Sequence, residues 1–244
     1  MIALKLNKRL LQSIFLIMFI VANLNMQAQM KPAVAELLLY ADQKYGTNDF
    51  LVNGWKYFPD HFNAKGNPYF NQLNWTDGEI TTAGSETFDK LELQYNIQMD
   101  EVVLKQTLND GSTAFVMLNK DFIDAFTIGE HQFVKVQKVI PESDLQGFVE
   151  IIYAGEIQFF TKHQKSFVRN FSADTPYGSI SKQNSTNYLL LEGVLIKVQT
   201  KKALLNIFPE HKKEIRKFMK VNKIRYKKAA APQLRDLIQL CDEL

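Results

Sequence analysis

The sequence contains a single cysteine, Cys241, among its 244 residues. One cysteine cannot form an intramolecular disulfide, which excludes the class of small disulfide-stapled scaffolds. Glycine and proline are also scarce, at 11 and 7 residues, and this excludes a collagen-like or low-complexity chain. Hydrophobic residues make up 46% of the chain and charged residues 23%. This composition is typical of a globular protein with a sizeable core.

Local catalytic motifs are absent from the sequence as well. It has no G-x-S-x-G, no S-x-x-K followed by its partner motifs, and no glycine-rich phosphate loop. The four histidines are well separated and show no metal-ligand spacing: His61, His131, His163 and His211. We therefore predict no catalytic residue, no metal site and no cofactor. Convergence of scattered histidines in the folded chain remains an alternative.

The first 28 residues have the pattern of a secretory signal peptide. Three basic residues, Lys5, Lys8 and Arg9, precede an apolar run from Leu10 to Leu24, and the small residue Ala28 offers a cleavage point. The run is only fifteen residues long, whereas a membrane-spanning helix needs about 20. We predict export to the periplasm or the extracellular space, with a mature chain that does not span the membrane.

The charge of the mature chain is balanced overall but uneven along its length. Without the signal peptide it has 26 basic and 26 acidic residues, so no nucleic-acid partner is expected. Twelve basic and two acidic residues lie between Lys197 and Lys228, a net charge of +10. Six of the basic residues form a candidate basic surface: Lys212, Lys213, Arg216, Lys217, Lys220 and Lys223. A solvated helix face is the favoured interpretation, and weak contact with an anionic envelope surface or an acidic partner is the alternative.

Residues 29–200 have the pattern of an antiparallel β domain. From about Thr76 to Phe167, short segments alternate apolar and polar residues and are separated by turns such as Asn109-Asp110-Gly111. A further hairpin is expected around Gly193, with strands over 188–192 and 194–199. No helical pattern intervenes, so we predict a mainly β (α+β) fold in which a meander forms a barrel or a sandwich. The polar stretch 168–187 is expected to be a long loop.

The C-terminal segment 201–244 is predicted to form two or three helices packed on the β domain. Ile215, Phe218 and Met219 give the central helix one apolar stripe. Cys241 continues the apolar face of the last helix, so it is predicted to be buried rather than reactive. The carboxylate pair Asp100-Glu101 lies in a predicted turn and is expected to remain solvated.

An aromatic-rich loop, 54–75, contains both tryptophans and five other aromatic residues. Exposed rings offer large rigid faces on which sugars or peptides can stack. The candidate ligand-binding residues are Trp55, Tyr57, Phe58, Asp60, His61, Tyr69 and Trp75. The competing interpretation, which the burial tendency of aromatics favours, is that the rings form a small core closing one end of the β domain.

Three stretches carry a resemblance to a known group of proteins: 51–59 (LVNGWKYFP), 91–97 (LELQYNI) and 214–220 (EIRKFMK). With the signal peptide, they resemble uncharacterised exported proteins of Bacteroidetes-type bacteria. The resemblance implies an envelope or extracellular setting in a double-membraned bacterium and brings no catalytic residues with it.

Two classes of function follow from these observations. The favoured class is a non-catalytic envelope or secreted protein that binds a ligand or a protein partner. The alternative is a secreted hydrolase acting on glycan or peptide, with acid and base carboxylates, and with His61 or His163 as further candidates, assembled from distant strands.

Overall fold

The computed structural model describes residues 55–71, 74–107 and 111–244, with only the backbone of Trp55. The predicted signal peptide, the start of the predicted β domain and the turn residues Asn109 and Asp110 lie outside the described residues.

The described residues form a mainly β fold, as predicted. The strands are β1 (Trp55–Lys56), β2 (Thr76–Thr82), β3 (Thr87–Asn96), β4 (Glu101–Thr107), β5 (Thr113–Met117), β6 (Ile123–Ile128), β7 (His131–Lys135), β8 (Phe148–Ala154), β9 (Gln158–Gln164), β10 (Phe167–Val168), β11 (Ser179–Ile180), β12 (Asn184–Leu191) and β13 (Val194–Lys197). Eleven of them form one sheet in the order β1-β5-β4-β3-β2-β6-β7-β8-β9-β12-β13, while β10 pairs with β11. Every strand pairing in the described part is antiparallel.

The large sheet is open, since the described strands at its two ends, β1 and β13, do not pair with each other. The closed barrel, one of the two predicted architectures, therefore does not hold for the described strands. An open sheet is consistent with the other prediction, a sandwich.

The alternation predicted for β3 is confirmed, but its second half is covered on both faces. Tyr95 is buried on one face, where its ring centroid lies 5.1 Å from those of Phe126 and Phe133. Asn96, on the opposite face, is also buried and donates a hydrogen bond to the Tyr57 hydroxyl at 3.0 Å. The rings of Tyr95, Phe126, Phe133 and Phe148 contact one another and form an aromatic core on one face of the sheet.

The described helices are short, and those predicted at the C-terminus are confirmed. They are α1 (Val136–Val139), α2 (Lys201–Ile207), α3 (Lys212–Val221) and α4 (Ala231–Glu243), with 3₁₀ turns at Lys120–Phe122 and Tyr226–Lys228. The Thr200 hydroxyl caps α2 by accepting a hydrogen bond from the Ala203 amide at 3.1 Å. No helix among the described residues is long and apolar enough to span a membrane.

A second hydrophobic core joins the sheet to these helices. Phe159 and Leu189 on the sheet are fully buried against Leu204, Ile215 and Leu237 on the helices. Cys241 lies in the same core, as predicted, and burial raises the pKa of its thiol to about 12. A reactive thiolate at this position is therefore disfavoured.

Two polar segments differ from their predictions. The expected loop 168–187 ends early because β12 begins at Asn184, where it pairs with Gln164 of β9. Its polar residues form a strand because they pair with β9, and Asn184, Ser185 and Asn187 line a cavity. Asp100 was expected to be solvated, but its carboxylate accepts a hydrogen bond from the Tyr95 hydroxyl. It also forms an ion pair at 2.9 Å with Lys162, whose side chain is only 5% exposed.

Candidate functional site

The most unusual polar feature of the fold is a cluster of His131, Glu150 and His163, which we call the His–Glu–His cluster. The neighbouring strands β7, β8 and β9 each supply one of its residues. Glu150 pairs with Phe133 on β7 and with Thr161 on β9. Each histidine lies two residues from the partner of Glu150, and side chains two apart share a face of a sheet. The register therefore places both imidazoles on the same face as the carboxylate.

The carboxylate of Glu150 is bonded to a different imidazole through each oxygen. Oε1 lies 2.5 Å from Nδ1 of His131, and Oε2 lies 2.7 Å from Nε2 of His163. The side chains of Glu150 and His163 are 6% and 8% exposed, whereas His131 is 35% exposed. The Phe70 ring lies against both imidazoles, with its centroid 4.9 Å from His131 and 4.8 Å from His163. A desolvated carboxylate of this kind must keep both partners, since a buried unpaired charge is costly.

The hydrogen bonds of His163 determine where its proton lies. The amide nitrogen of Gln183 is 3.1 Å from Nδ1, and the hydroxyl of Ser185 is 2.8 Å from the same atom. Because an amide nitrogen only donates, we assign Nδ1 as the acceptor and place the proton on Nε2, which donates to Glu150. The Ser185 hydroxyl can then donate to Nδ1.

The protonation of the cluster follows from these contacts. Burial alone would raise the pKa of Glu150, but the hydrogen bonds from His131 and His163 outweigh it and lower that pKa to about 2. The hydrogen bond to Glu150 raises the pKa of His131, although partial burial opposes the effect. Glu150 is therefore charged over the physiological pH range, and His131 keeps its proton to a higher pH than a free histidine does.

The cluster lies between the two hydrophobic cores. On one face of β8, Phe148 belongs to the aromatic core, Glu150 follows two residues later, and Ile152 belongs to the core beneath the helices. The polar layer thus occupies a part of the face that neither core covers. Arg235 of α4 donates a hydrogen bond from Nε to the Ile152 carbonyl at 3.1 Å and holds the helix beside this layer.

A cavity of about 360 Å³ opens beside the cluster, between the sheet and the C-terminal segment; we call it the polar cavity. Its polar lining is supplied by Glu150, Thr161, His163, Asn184, Ser185, Asn187, Gln199, Thr200, Tyr226 and Lys227. Its apolar lining consists of Ile152, Ala229, Ala231 and Leu234. His131 lines a different, smaller cavity of about 180 Å³ that also contacts Phe70 and Tyr95. The His–Glu–His cluster therefore contributes to the walls of two cavities.

The predicted aromatic ligand site is divided in the structure. Tyr57 is buried, and its hydroxyl donates to the Tyr69 hydroxyl at 3.2 Å. The His61 ring stacks on Phe167 at 3.6 Å, and the Trp75 ring stacks on Phe115 at 5.1 Å. These contacts attach parts of the loop to β5 and to β10.

The remaining members of the aromatic candidate set are peripheral. Phe58 is 70% exposed, Asp60 is exposed, and β1 pairs Trp55 with Met117 at the sheet edge. The described contacts do not bring the seven candidate residues together around one point, and none of them lines the polar cavity.

The predicted basic surface forms one side of α3 and continues past its end. Ile215 and Met219 face the core, and Lys213, Arg216, Lys217, Lys220 and Lys223 are exposed, while Lys212 is half-buried. The described ion pair on this helix joins His211 to Glu214 at 2.9 Å. The surface lies on the outside of the helix, and none of its six residues lines either of the two cavities described above.

Sequence reasoning missed the His–Glu–His cluster, although a signal was present. Along β8 and β9 the inward positions are Phe148, Glu150 and Ile152, then Phe159, Thr161 and His163. Glu150 and His163 each occupy an inward position where the alternation of the strand would place an apolar residue. This pattern on two adjacent strands indicates that the two side chains form a polar contact inside the core. The predicted meander implies that the consecutive strands β8 and β9 pair with each other. The register that aligns their side chains was not predicted.

Comparisons with known protein families, with curated proteins and with solved structures returned no match for this chain. Among the described residues, no group of three or more His, Cys, Asp or Glu side chains has an arrangement that could hold a metal ion.

Proposed function

We propose that this protein is exported and that it binds a small, neutral, multiply hydroxylated molecule of the sugar class in the polar cavity, without altering it. Export is supported by the signal-peptide pattern of the first 28 residues. Binding is supported by the chemistry of the cavity wall, which is the single observation that carries the proposal.

The wall is built from groups that both donate and accept hydrogen bonds. Asn184, Asn187 and Gln199 line the cavity, and an amide has a carbonyl oxygen that accepts and an NH₂ group with two donor hydrogens. The Asn187 oxygen already accepts a hydrogen bond from the Thr161 hydroxyl at 3.0 Å, and the Gln199 NH₂ group donates one to the Thr186 hydroxyl at 3.2 Å, so each of these two amides keeps only part of its capacity for a ligand. Ligand hydroxyls have the same dual character, so they can satisfy such a wall. The volume of about 360 Å³ lies in the range of small-molecule sites.

Of the two charged residues on the wall, Glu150 and Lys227, the carboxylate does not favour a cationic ligand. Glu150 is already satisfied by two histidines, so it offers little to a cationic ligand. Leu234 and Ile152 add an apolar patch on which the C–H face of a ring can lie. The proposed ligand thus combines hydroxyl groups with an apolar face.

The first prediction tests this wall. Asn184 is exposed and lines the cavity, so Asn184→Leu should remove one donor and one acceptor without disturbing the core. In a panel of neutral mono- and disaccharides, we expect at least one to raise the melting temperature of the wild type. Titration calorimetry with that saccharide should show an affinity loss of roughly tenfold for Asn184→Leu, about 1.4 kcal/mol.

The matched control is Asn206→Leu, which makes the same change at an exposed position of α2. It should bind the saccharide as the wild type does. Wild-type protein that binds no neutral saccharide, or equal losses in the two variants, would contradict the proposal.

A second candidate function is acyl hydrolysis, and one observation favours it: Ser185, His163 and Glu150 form a continuous chain of hydrogen bonds at the cavity. In this scheme the Ser185 Oγ attacks an acyl carbonyl while Nδ1 of His163 takes its proton, and Glu150 holds the imidazole through Nε2. The leaving group departs with that proton, and water then releases the acyl group from Ser185. This arrangement uses one carboxylate and one histidine, whereas the hydrolase hypothesis drawn from the sequence used a pair of carboxylates as acid and base.

The second prediction separates binding from hydrolysis. An alkyl fluorophosphonate should label Ser185 only if that hydroxyl is activated by His163. Under the proposed binding function we expect no label by mass spectrometry, and Ser185→Ala should leave the turnover of p-nitrophenyl esters at the wild-type background. Stoichiometric labelling that Ser185→Ala abolishes would establish the hydrolase instead.

A further inference from the structure

A recess of about 540 Å³ lies beside the polar cavity and shares Thr200, Tyr226 and Lys227 with it. Nine residues of the described part of the chain line the recess, and of these five are basic and none is acidic. The basic residues are Lys201, Lys202, Arg225, Lys227 and Lys228. We call this recess the cationic groove.

Two segments that are far apart in the sequence supply these charges. Lys201 and Lys202 begin α2, and the other three belong to the stretch 225–228 between α3 and α4. The Tyr226 side chain is buried and donates a hydrogen bond to the Val198 carbonyl at 2.7 Å, which fixes this stretch against the end of β13. Because Tyr226 points inward, the flanking Arg225 and Lys227 are exposed. The cations are therefore brought together by the fold and not by their spacing along the sequence.

None of the five basic side chains forms an ion pair or hydrogen bond with a residue that the structure describes. Like charges gathered in one recess repel each other, and this repulsion opposes folding. An anion that enters the groove would offset the repulsion and gain several favourable contacts at once. Lysine and arginine are also the side chains that recognise phosphate in proteins.

We propose that the cationic groove binds a phosphoryl group. A multiply charged anion is favoured over a single carboxylate because five cations line one recess and have no counter-ion among the described residues. The inference goes beyond the sugar-class function and stands without it, because the groove residues that carry it are not the amides of the polar cavity. It also differs from the basic surface predicted on α3, which lies on the outside of a helix.

The third prediction uses inorganic triphosphate as the probe in titration calorimetry at low ionic strength. We expect wild-type protein to bind it, with an affinity that falls steeply as sodium chloride is added. The double variant Lys201→Glu/Lys227→Glu should lose at least tenfold in affinity. The control Lys213→Glu/Lys217→Glu makes the same charge change on α3 and should lose less than threefold.

Two further experiments identify the source of the phosphoryl group and separate this proposal from the proposed saccharide binding. The source is a lipid headgroup if the wild type binds phosphatidylglycerol vesicles, the Lys201→Glu/Lys227→Glu variant loses this binding, and triphosphate competes with the vesicles. If the wild type binds triphosphate but not the vesicles, the source is a soluble phosphate. Asn184→Leu, which is expected to weaken saccharide binding, should bind triphosphate like the wild type because Asn184 does not line the groove. Absent triphosphate binding, or equal losses in the two charge variants, would overturn the proposal.

Discussion

Replacing Glu150 by glutamine is expected to lower the free energy of unfolding by about 3 kcal/mol at pH 5.5. The fold lowers the pKa of this carboxyl from 4.5 to about 2, and each pKa unit corresponds to about 1.4 kcal/mol. Glutamine keeps the shape of the side chain but removes the charge that both histidines contact. Urea unfolding followed by tryptophan fluorescence or circular dichroism would measure the change.

The pH dependence of stability should change in the same variant. A lowered carboxyl pKa contributes stability that is fully present above 4.5 and is lost as the pH falls toward 2. The raised pKa of His131 acts in the opposite direction: its contribution is present below 6.5 and is lost as the pH rises through the raised value. The cluster should therefore stabilise the wild type most between about pH 4.5 and 6.5, and Glu150→Gln should flatten this maximum.

Glu142→Gln provides the control, since it makes the same chemical change at an exposed position after α1. Its unfolding free energy should lie within about 0.5 kcal/mol of the wild type. If Glu150→Gln unfolds like Glu142→Gln at every pH, the His–Glu–His cluster carries no net electrostatic stability and this account of the site is wrong.

The second large effect is expected at the interface between the sheet and the helices. Leu237 on α4 is fully buried in the core that contains Phe159 and Leu189. Leu237→Ala should lower the free energy of unfolding by about 2–5 kcal/mol, because it removes buried methyl groups and leaves a cavity. Chemical denaturation measures the loss directly, with the slope of the transition serving as a check on two-state behaviour.

Leu240, three residues further along α4, is only half-buried and tests the same substitution in a partly solvated site. Leu240→Ala should cost about 1 kcal/mol or less. Losses of equal size at Leu237 and Leu240 would mean that α4 is not held by the core described. Because Leu234 of the same helix lines the polar cavity, Leu237→Ala should also weaken the proposed saccharide binding.

These two experiments address one arrangement, in which a polar layer lies between two apolar cores. Phe148, Glu150 and Ile152 occupy successive inward positions of β8 and belong to the aromatic core, the polar layer and the helix-covered core in turn. The polar cavity lies beside the middle position, where Glu150 and Leu234 of α4 both contribute to its wall. The stability of the helices and the shape of the proposed binding site are therefore coupled.

Several elements were predictable from the chain itself because their signals are local. Alternation of apolar and polar residues predicted most strands, including β3, and the i, i+3, i+4 pattern predicted α3 and α4 with Cys241 buried. The start of β12 at Asn184 was not predictable in this way. Its residues are polar because they line a cavity, and no sequence period distinguishes a cavity wall from a solvated loop.

By itself the amino-acid sequence determined the mainly β class, most of the strands and the helical C-terminus, since each depends on periodicities within one segment. Tertiary structure alone decided that His131 and His163 meet at Glu150, and that Lys201 and Arg225 line one groove. Such meetings depend on strand register and on helix placement, which are set by contacts between residues far apart in the chain. The physical reason is that the strength of hydrogen bonds, burial and charge interactions depends on the distance between groups in the folded chain and not on their separation along the sequence.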